Sequence, residues 1–163
     1  MAENQIVRSR AIINSSDYDI ESTYARLMGN LHYDDDGCML SQYCLNKSGF
    51  TSKKVFGDNN EIFTIDIEKG YPKLRLPGHG ANVFAHHVSY VYHNRAIRFT
   101  PAFLEMWDNP AYDISHRCGK PRCFASACLI IEHHDQNTTR DYCHGLNKSD
   151  ICPHNPPCKT RSL

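Results

Sequence analysis

The sequence predicts a small mixed α+β domain with antiparallel β-hairpins, and three observations support this class. The chain has 163 residues, which suits one domain with a modest core. Apolar and polar residues alternate over 61–68 and again at 73–76, as in half-buried strands. Apolar residues recur at helical spacing over 82–93, which predicts a helix with one buried face.

The first part of the chain predicts one helix after an irregular start. Residues 1–16 are expected to form an irregular or edge segment. A helix is predicted from Ser16 or Asp17, because either can cap its N-terminus and acidic residues occupy its first turn. Gly29 and the following asparagine are expected to end it. The acidic run at 34–37 predicts a solvated turn before a strand.

Strands and loops follow in the middle of the chain. Residues 47–60 are rich in turn formers and predict a loop. The segment 61–68 is expected to pair with 73–75 in a hairpin. This hairpin would place Lys73 and Arg75 on one face, as in a sheet that reads a DNA groove. An ordinary solvent-facing hairpin fits the same pattern.

The last third predicts a short strand followed by a helix. Residues 112–115 form the strand, which leads directly to His116. A helix is predicted from about Leu129 to Tyr142, and it carries Asn137. We treat 1–163 as one domain: an N-terminal extension (1–36), a sheet and helix part (37–112), which would face DNA if Lys73 and Arg75 read a groove, and a cysteine-rich box (113–158).

Six of the eight cysteines lie between positions 118 and 158. Cys143, Cys152, His154 and Cys158 supply four soft or borderline donors within 16 residues, the number that a closed tetrahedral zinc needs. The sequence between them is too polar and broken to pack a core, so a metal would replace a core there. Scattered thiols in a tail are the alternative.

Three further cysteines, Cys118, Cys123 and Cys128, require a fourth ligand from elsewhere in the chain. Cys38 and Cys44 are the two cysteines that remain, and either would clamp the N-terminal part onto the box. Both zinc sites would then be structural, since neither has an open coordination position.

The compartment decides between zinc and disulfides. The N-terminal sequence lacks the basic-then-apolar layout of a secretory signal, so, if Met1 is the native start, we expect an intracellular protein. A reducing compartment favours zinc, whereas a secreted domain with eight cysteines would favour disulfides. We find no apolar run near the roughly 20 residues that span a bilayer, so no membrane partner is expected.

The charge distribution excludes a strong general polyanion binder. The formal net charge is zero, with an acidic N-terminal region and a basic C-terminal third. Seven thiolates and two Zn²⁺ ions would bring the chain to about −3. Any contact with nucleic acid therefore requires a local basic surface.

His116 and Asn137 are not needed as ligands of either zinc. A histidine can remove a proton from water near neutral pH, and an amide oxygen is a hard ligand suited to Mg²⁺. Together they provide the minimum for metal-assisted hydrolysis of a phosphodiester. A histidine and an asparagine are more often merely satisfied polar residues, so this pair alone is weak evidence.

The complete pattern resembles a known family. Ser115-His116-x-Cys118-x4-Cys123-x4-Cys128-x8-Asn137-x2-Arg140-x2-Cys143-x8-Cys152-x-His154-x3-Cys158 is similar to the His-Cys box of group I intron homing endonucleases. These belong to the ββα-metal (His-Me finger, HNH-like) nucleases. The specific match covers residues 115–158.

The resemblance implies a ββα-metal core with two structural zinc ions and one catalytic Mg²⁺ or other divalent cation. His116 would be the general base and Asn137 the Mg²⁺ ligand. Zinc 1 would be held by three box cysteines and one upstream cysteine; zinc 2 would be held by the last four donors. The ligands are, for zinc 1, Cys38 (alternative Cys44), Cys118, Cys123 and Cys128, and, for zinc 2, Cys143, Cys152, His154 and Cys158.

The resemblance also implies a Mg²⁺-dependent DNA endonuclease that acts on double-stranded DNA in the nucleus. The family's phosphate-contacting arginine aligns near His86, so His86, Arg75, Arg95 or Arg140 would take that role. The family dimerises through a long C-terminal arm, whereas five residues follow Cys158 here, so a homodimer would use another surface. The alternative is an inactive zinc-stapled module that binds nucleic acid or protein.

Overall fold

The computed structural model of the chain describes residues 8–56, 61–146 and 152–159. Within these ranges the α-helices are α1 (Arg10–Asn14), α2 (Asp17–Met28), α3 (Ala85–His93), α4 (Pro101–Asp108) and α5 (His134–Leu146). The strands are β1 (Leu31–Tyr33), β2 (Met39–Ser41), β3 (Phe50–Phe56), β4 (Ile62–Glu68), β5 (Lys73–Arg75), β6 (Asn82–Phe84), β7 (Tyr112–His116) and β8 (Leu129–His133). No helix in the described ranges has the length and apolarity needed to cross a membrane.

The described strands form four two-stranded antiparallel sheets, each made of consecutive strands. The predicted α+β class is therefore confirmed. In the last sheet, β7 and β8 pair with Ile114 opposite Ile131 and His116 opposite Leu129. Helix α5 follows β8 directly and packs against both strands, which gives a β-hairpin and helix unit at the centre of the box.

Helix α3 lies in the hydrophobic core and contacts α1, α2 and the β7–β8 hairpin. The two N-terminal helices supply fully buried aliphatic side chains to the same core that Val88 and Val91 occupy. The N-terminal core residues are Ile12, Ile13, Ile20 and Leu27. The side chain of Arg98 donates to the carbonyl oxygens of Ile13 and Ser15, both at 3.2 Å, and so fastens these helices to the segment after α3.

The N-terminal prediction is right for α2 and wrong for the residues before it. Ser16 caps α2, with its Oγ accepting from the Asp19 amide at 3.1 Å. Residues 10–14, expected to be irregular, form α1, because Ser9 caps them and Ile12 and Ile13 are buried against the core. Residues 1–7 lie outside the described residues.

The predicted pairing of the middle strands is also wrong. Residues 50–56, expected in a loop, form β3 and pair with β4, while β5 pairs with β6 instead of β4. Period-two alternation identifies a strand but leaves its partner open, and the turn formers at 57–60 connect two strands here. Residues 57–60 themselves lie outside the described residues.

The helices predicted over 82–93 and from about Leu129 both begin later than expected. Residues 82–84 form β6 before α3, and residues 129–133 form β8 before α5. The apolar run Leu129-Ile-Ile pairs with β7, which buries Leu129 and Ile114 in the core. A short apolar run carries too little periodicity to separate a strand from the first turns of a helix.

Candidate active site and zinc centres

The first cluster of sulfurs joins Cys38 to three cysteines of the box. The Sγ atoms of Cys38, Cys118, Cys123 and Cys128 all lie within 4.8 Å of one another, and all four residues are buried. Zn–S bonds of about 2.3 Å at tetrahedral angles separate sulfurs by about 3.8 Å, so this cluster fits a zinc ion. Cys44 is exposed and outside the cluster.

Backbone pairing brings Cys38 to the box. Strand β2 begins at the next residue, and the Ser41 amide donates to the Arg122 carbonyl at 2.9 Å. In return, the Phe124 amide donates to the Met39 carbonyl at 2.9 Å. An upstream segment is therefore hydrogen-bonded directly to the loop that carries Cys123.

The four buried thiols of this cluster shift the pKa values of one another. Contact with Cys123 raises the pKa of Cys118, whereas contact with Cys118 lowers the pKa of Cys128. Several thiolates cannot be buried together without a positive charge beside them. A bound Zn²⁺ supplies that charge.

The second cluster joins the C-terminal half of α5, which carries Cys143, to the segment after it. Donor atoms of Cys143, Cys152, His154 and Cys158 lie within 4.8 Å of one another. The His154 Nδ1 faces the sulfurs, at 3.2 Å from Cys152 Sγ, while its Nε2 lies 2.7 Å from Thr139 Oγ1. Thr139 thereby fixes the ring with Nδ1 towards the metal position, as outer partners of zinc-binding histidines do.

His116 ends strand β7 and is 8% exposed. Its ring stacks on Tyr71 with centroids 5.7 Å apart and lies 4.7 Å from the ring of His86. The next residue ties this strand end to the second cluster, because the Arg117 carbonyl accepts from the Lys159 amide at 2.8 Å and from His144 Nε2 at 2.7 Å. Segments of both candidate zinc clusters therefore adjoin His116.

Asn137 is half-buried on α5, one turn from its start. Its Nδ2 donates to the Asp113 carboxylate at 3.1 Å. Side chains alternate along a strand, so Asp113 and His116 project from opposite faces of β7. The structure thus places the two predicted residues at the same strand, but on opposite faces of it.

Two of the proposed phosphate contacts are buried. Arg140 is 1% exposed, and it donates to both carboxylate oxygens of Glu132 at 2.6 and 2.9 Å. His86 is 2% exposed, and burial lowers its pKa well below the ordinary value, so it is neutral. Both placements argue against direct contact with a surface phosphate.

The remaining candidates are cations at the surface, of which Arg95 is half-buried. Lys73 and Arg75 are both exposed on β5, and Leu74 between them is buried, so the two point to the same solvent face, as expected. Arg95 lies 4.3 Å over the ring of Tyr92 and 3.5 Å from a Glu21 carboxylate oxygen. Of these, β5 lies nearest in sequence to Tyr71, the ring that stacks on His116.

Sequence reasoning missed several residues that support the site. Asp113 holds Asn137, Glu132 pairs with Arg140, and Thr139 orients His154. In the observed register Asp113 lies opposite Glu132 on one face of the β7–β8 hairpin, but their partners lie on a helix. Their pairing depends on how α5 docks on the hairpin, for which the sequence offers no signal.

A β-hairpin and helix unit set between two zinc-compatible clusters defines a zinc-stapled domain of the ββα-metal class. The family model for the zinc-binding loop region of homing endonucleases matches residues 57–162, well over half of the chain. The chain therefore belongs to this family, as its His-Cys pattern indicated. Comparisons with curated proteins and with solved structures gave no match.

Proposed function

We propose that this protein is a Mg²⁺-dependent endonuclease that hydrolyses phosphodiester bonds in double-stranded DNA and acts in the nucleus. The observation that supports the proposal is the β-hairpin and helix unit that carries His116 and Asn137 and adjoins both cysteine clusters. Membership of the homing-endonuclease zinc-loop family supports the same reaction class.

In this mechanism His116 accepts a proton from the attacking water. An imidazole suits this step because its unperturbed pKa lies near neutral pH. Contacts with the rings of Tyr71 and His86 restrict the rotation of its ring. The bond between phosphorus and the 3′ oxygen breaks, the 3′ oxygen takes up a proton from solvent, and the phosphate stays on the 5′ end, as the family resemblance implies.

Asn137 provides the metal ligand. Its amide oxygen is a hard donor, and Mg²⁺ typically takes one or two protein ligands and completes its shell with water and phosphate oxygens. When bound, Mg²⁺ would stabilise the charge that develops on the scissile phosphate and leaving oxygen.

Lys73 and Arg75 are proposed as DNA contacts. They share the exposed face of a short strand, and Tyr71, which stacks on His116, lies two residues before Lys73. Two exposed cations at the edge of the site supply the local basic surface that a chain of zero formal charge needs.

The test is nicking of supercoiled plasmid by the zinc-loaded protein with Mg²⁺. His116→Ala and Asn137→Ala should each lower the rate by at least about 100-fold, since each removes a group that acts on the reacting atoms. The matched controls are His32→Ala and Gln136→Ala, which alter an exposed histidine and the exposed neighbour of Asn137. Nicking that persists in both site variants would disprove the assignment.

The burial of His86 and Arg140 favours a second candidate function, a zinc-stapled module that binds nucleic acid without cutting it. The same experiment separates the two. A wild-type protein with two zinc ions that binds DNA in a gel-shift assay but leaves the plasmid intact would establish the module.

A further inference from the structure

The Asp113 carboxylate is the hydrogen-bonding partner of two side chains on α5. Its Oδ2 accepts from Asn137 Nδ2 at 3.1 Å and from His134 Nδ1 at 2.6 Å. The Asp113 side chain is 20% exposed, so these contacts are partly shielded from water. His134 and Asn137 are three residues apart on the helix and therefore share a face.

These contacts decide which way the Asn137 amide points. An asparagine side chain has an oxygen and an NH₂ group of nearly the same shape, and its hydrogen-bond partners determine the orientation. An ionised carboxylate only accepts hydrogen bonds, so the NH₂ group must face Asp113. The amide oxygen then lies on the other branch, directed away from Asp113.

We propose that Asp113 is a positioning residue that fixes the Asn137 amide with its oxygen presented to the divalent cation. His134 holds the carboxylate in place by donating to the same oxygen. This inference rests on the proposed function, in which Asn137 is the Mg²⁺ ligand. A reversed amide would present two N–H groups to the cation, and no coordination bond could form.

The test measures cation binding as well as cleavage. Mn²⁺ is titrated into the zinc-loaded full-length protein, and the unbound ion is followed by electron paramagnetic resonance. Asp113→Ala should weaken Mn²⁺ binding by about 10-fold, the lower end of the usual loss when an outer partner of a metal ligand is removed. Asp135→Ala, which removes an 83% exposed carboxylate from the same helix, should change the affinity less than twofold.

A second background separates positioning from direct ligation. In Asn137→Asp, the side chain at position 137 has two equivalent oxygens and needs no orientation. Adding Asp113→Ala there should weaken Mn²⁺ binding much less than it does beside Asn137, because the attraction of one nearby negative charge is lost but no amide orientation is lost with it. Equal losses in both backgrounds would make Asp113 a direct ligand and overturn the inference.

Other outcomes distinguish the positioning role of Asp113 from the proposed endonuclease function. Wild-type protein that binds Mn²⁺ with the same affinity as Asp113→Ala would overturn the positioning role alone. Wild-type protein that holds two zinc ions but binds no Mn²⁺ and does not nick plasmid would overturn the proposed function as well. Zinc content and the thermal midpoint of each variant show whether it is folded.

Discussion

At the scale of single residues, several polar and ionisable side chains beside the site are buried. His87 is an example: it is 3% exposed, and its ring meets Trp107 edge to face at 5.8 Å. Burial lowers the pKa of His87 to about 3, so it stays neutral in the folded protein. The unfolded chain binds a proton at this position near pH 6.5.

The buried His87 makes stability depend on pH. Between pH 6.5 and 3 the unfolded state binds more protons, so the free energy of unfolding falls as the pH falls. At pH 5, which is about 1.5 pH units below the pKa in the unfolded chain, His87 lowers the free energy of unfolding by about 2 kcal/mol. Urea unfolding at pH 7.5 and pH 5 should show this extra loss in wild type and not in His87→Gln. Equal losses in both proteins would rule the effect out.

Arg140 and Glu132 form a buried ion pair whose single disruption should be costly. Arg140→Met leaves the Glu132 carboxylate buried without its partner, and we expect a loss of about 3 kcal/mol in the free energy of unfolding. Glu132→Leu combined with Arg140→Met removes both charges and should cost less than the single change. Urea unfolding measures the stability of both variants. A double variant that is less stable than Arg140→Met would contradict the expectation.

At the scale of elements, the turn before β5 places Tyr71 against His116. Gly70 has φ +85°, and a Cβ there would lie 2.7 Å from Asn46 Oδ1 and 2.9 Å from the Lys47 amide nitrogen. The same Asn46 oxygen accepts from the Tyr71 amide at 2.7 Å. Only glycine fits both the backbone conformation and the space.

Gly70→Ala should therefore lower stability by about 2 kcal/mol or more, through strain at positive φ and the clash with the neighbouring loop. Gly78→Ala is the matched control, since Gly78 also has positive φ (+75°) but meets nothing within 4 Å. It should cost about 1 kcal/mol. Thermal and urea unfolding check the difference, and equal effects would mean that the contact at Gly70 is tolerated.

At the scale of the whole molecule, two clusters with zinc-compatible geometry tie distant parts of the chain to the box. The first cluster joins β2 to a loop 80 residues later in the chain, and the second holds the C-terminal segment to α5. Loss of either zinc should therefore loosen the strand end that carries His116, because hydrogen bonds from Lys159 and His144 meet at Arg117.

Zinc stoichiometry tests this arrangement directly. Cys38→Ser should reduce the zinc content from two to one per chain, or leave a second ion that a chelator removes far faster, because a closed tetrahedral site loses one thiolate. Cys44→Ser should keep both ions, since Cys44 is exposed outside the cluster. Elemental analysis after gel filtration provides the measurement. Loss of zinc in Cys44→Ser would contradict the assignment.

Much of this molecule follows from the sequence by itself, for chemical reasons. The spacing of soft donors predicts both zinc sets, because few functions use cysteine and histidine at these distances. The cap at Ser16 and the strand leading to His116 are local features, set by residues next to one another in the chain. These predictions depend on contacts within a few residues.

Only the tertiary structure decided which distant groups meet. It selected Cys38 over Cys44, paired β3 with β4 and β5 with β6, and buried Arg140 against Glu132. It also placed Asp113 against Asn137, the contact that sets the direction of the amide. Such choices depend on strand register and on the docking of α5, and these minimise the free energy of the whole chain rather than of any one segment.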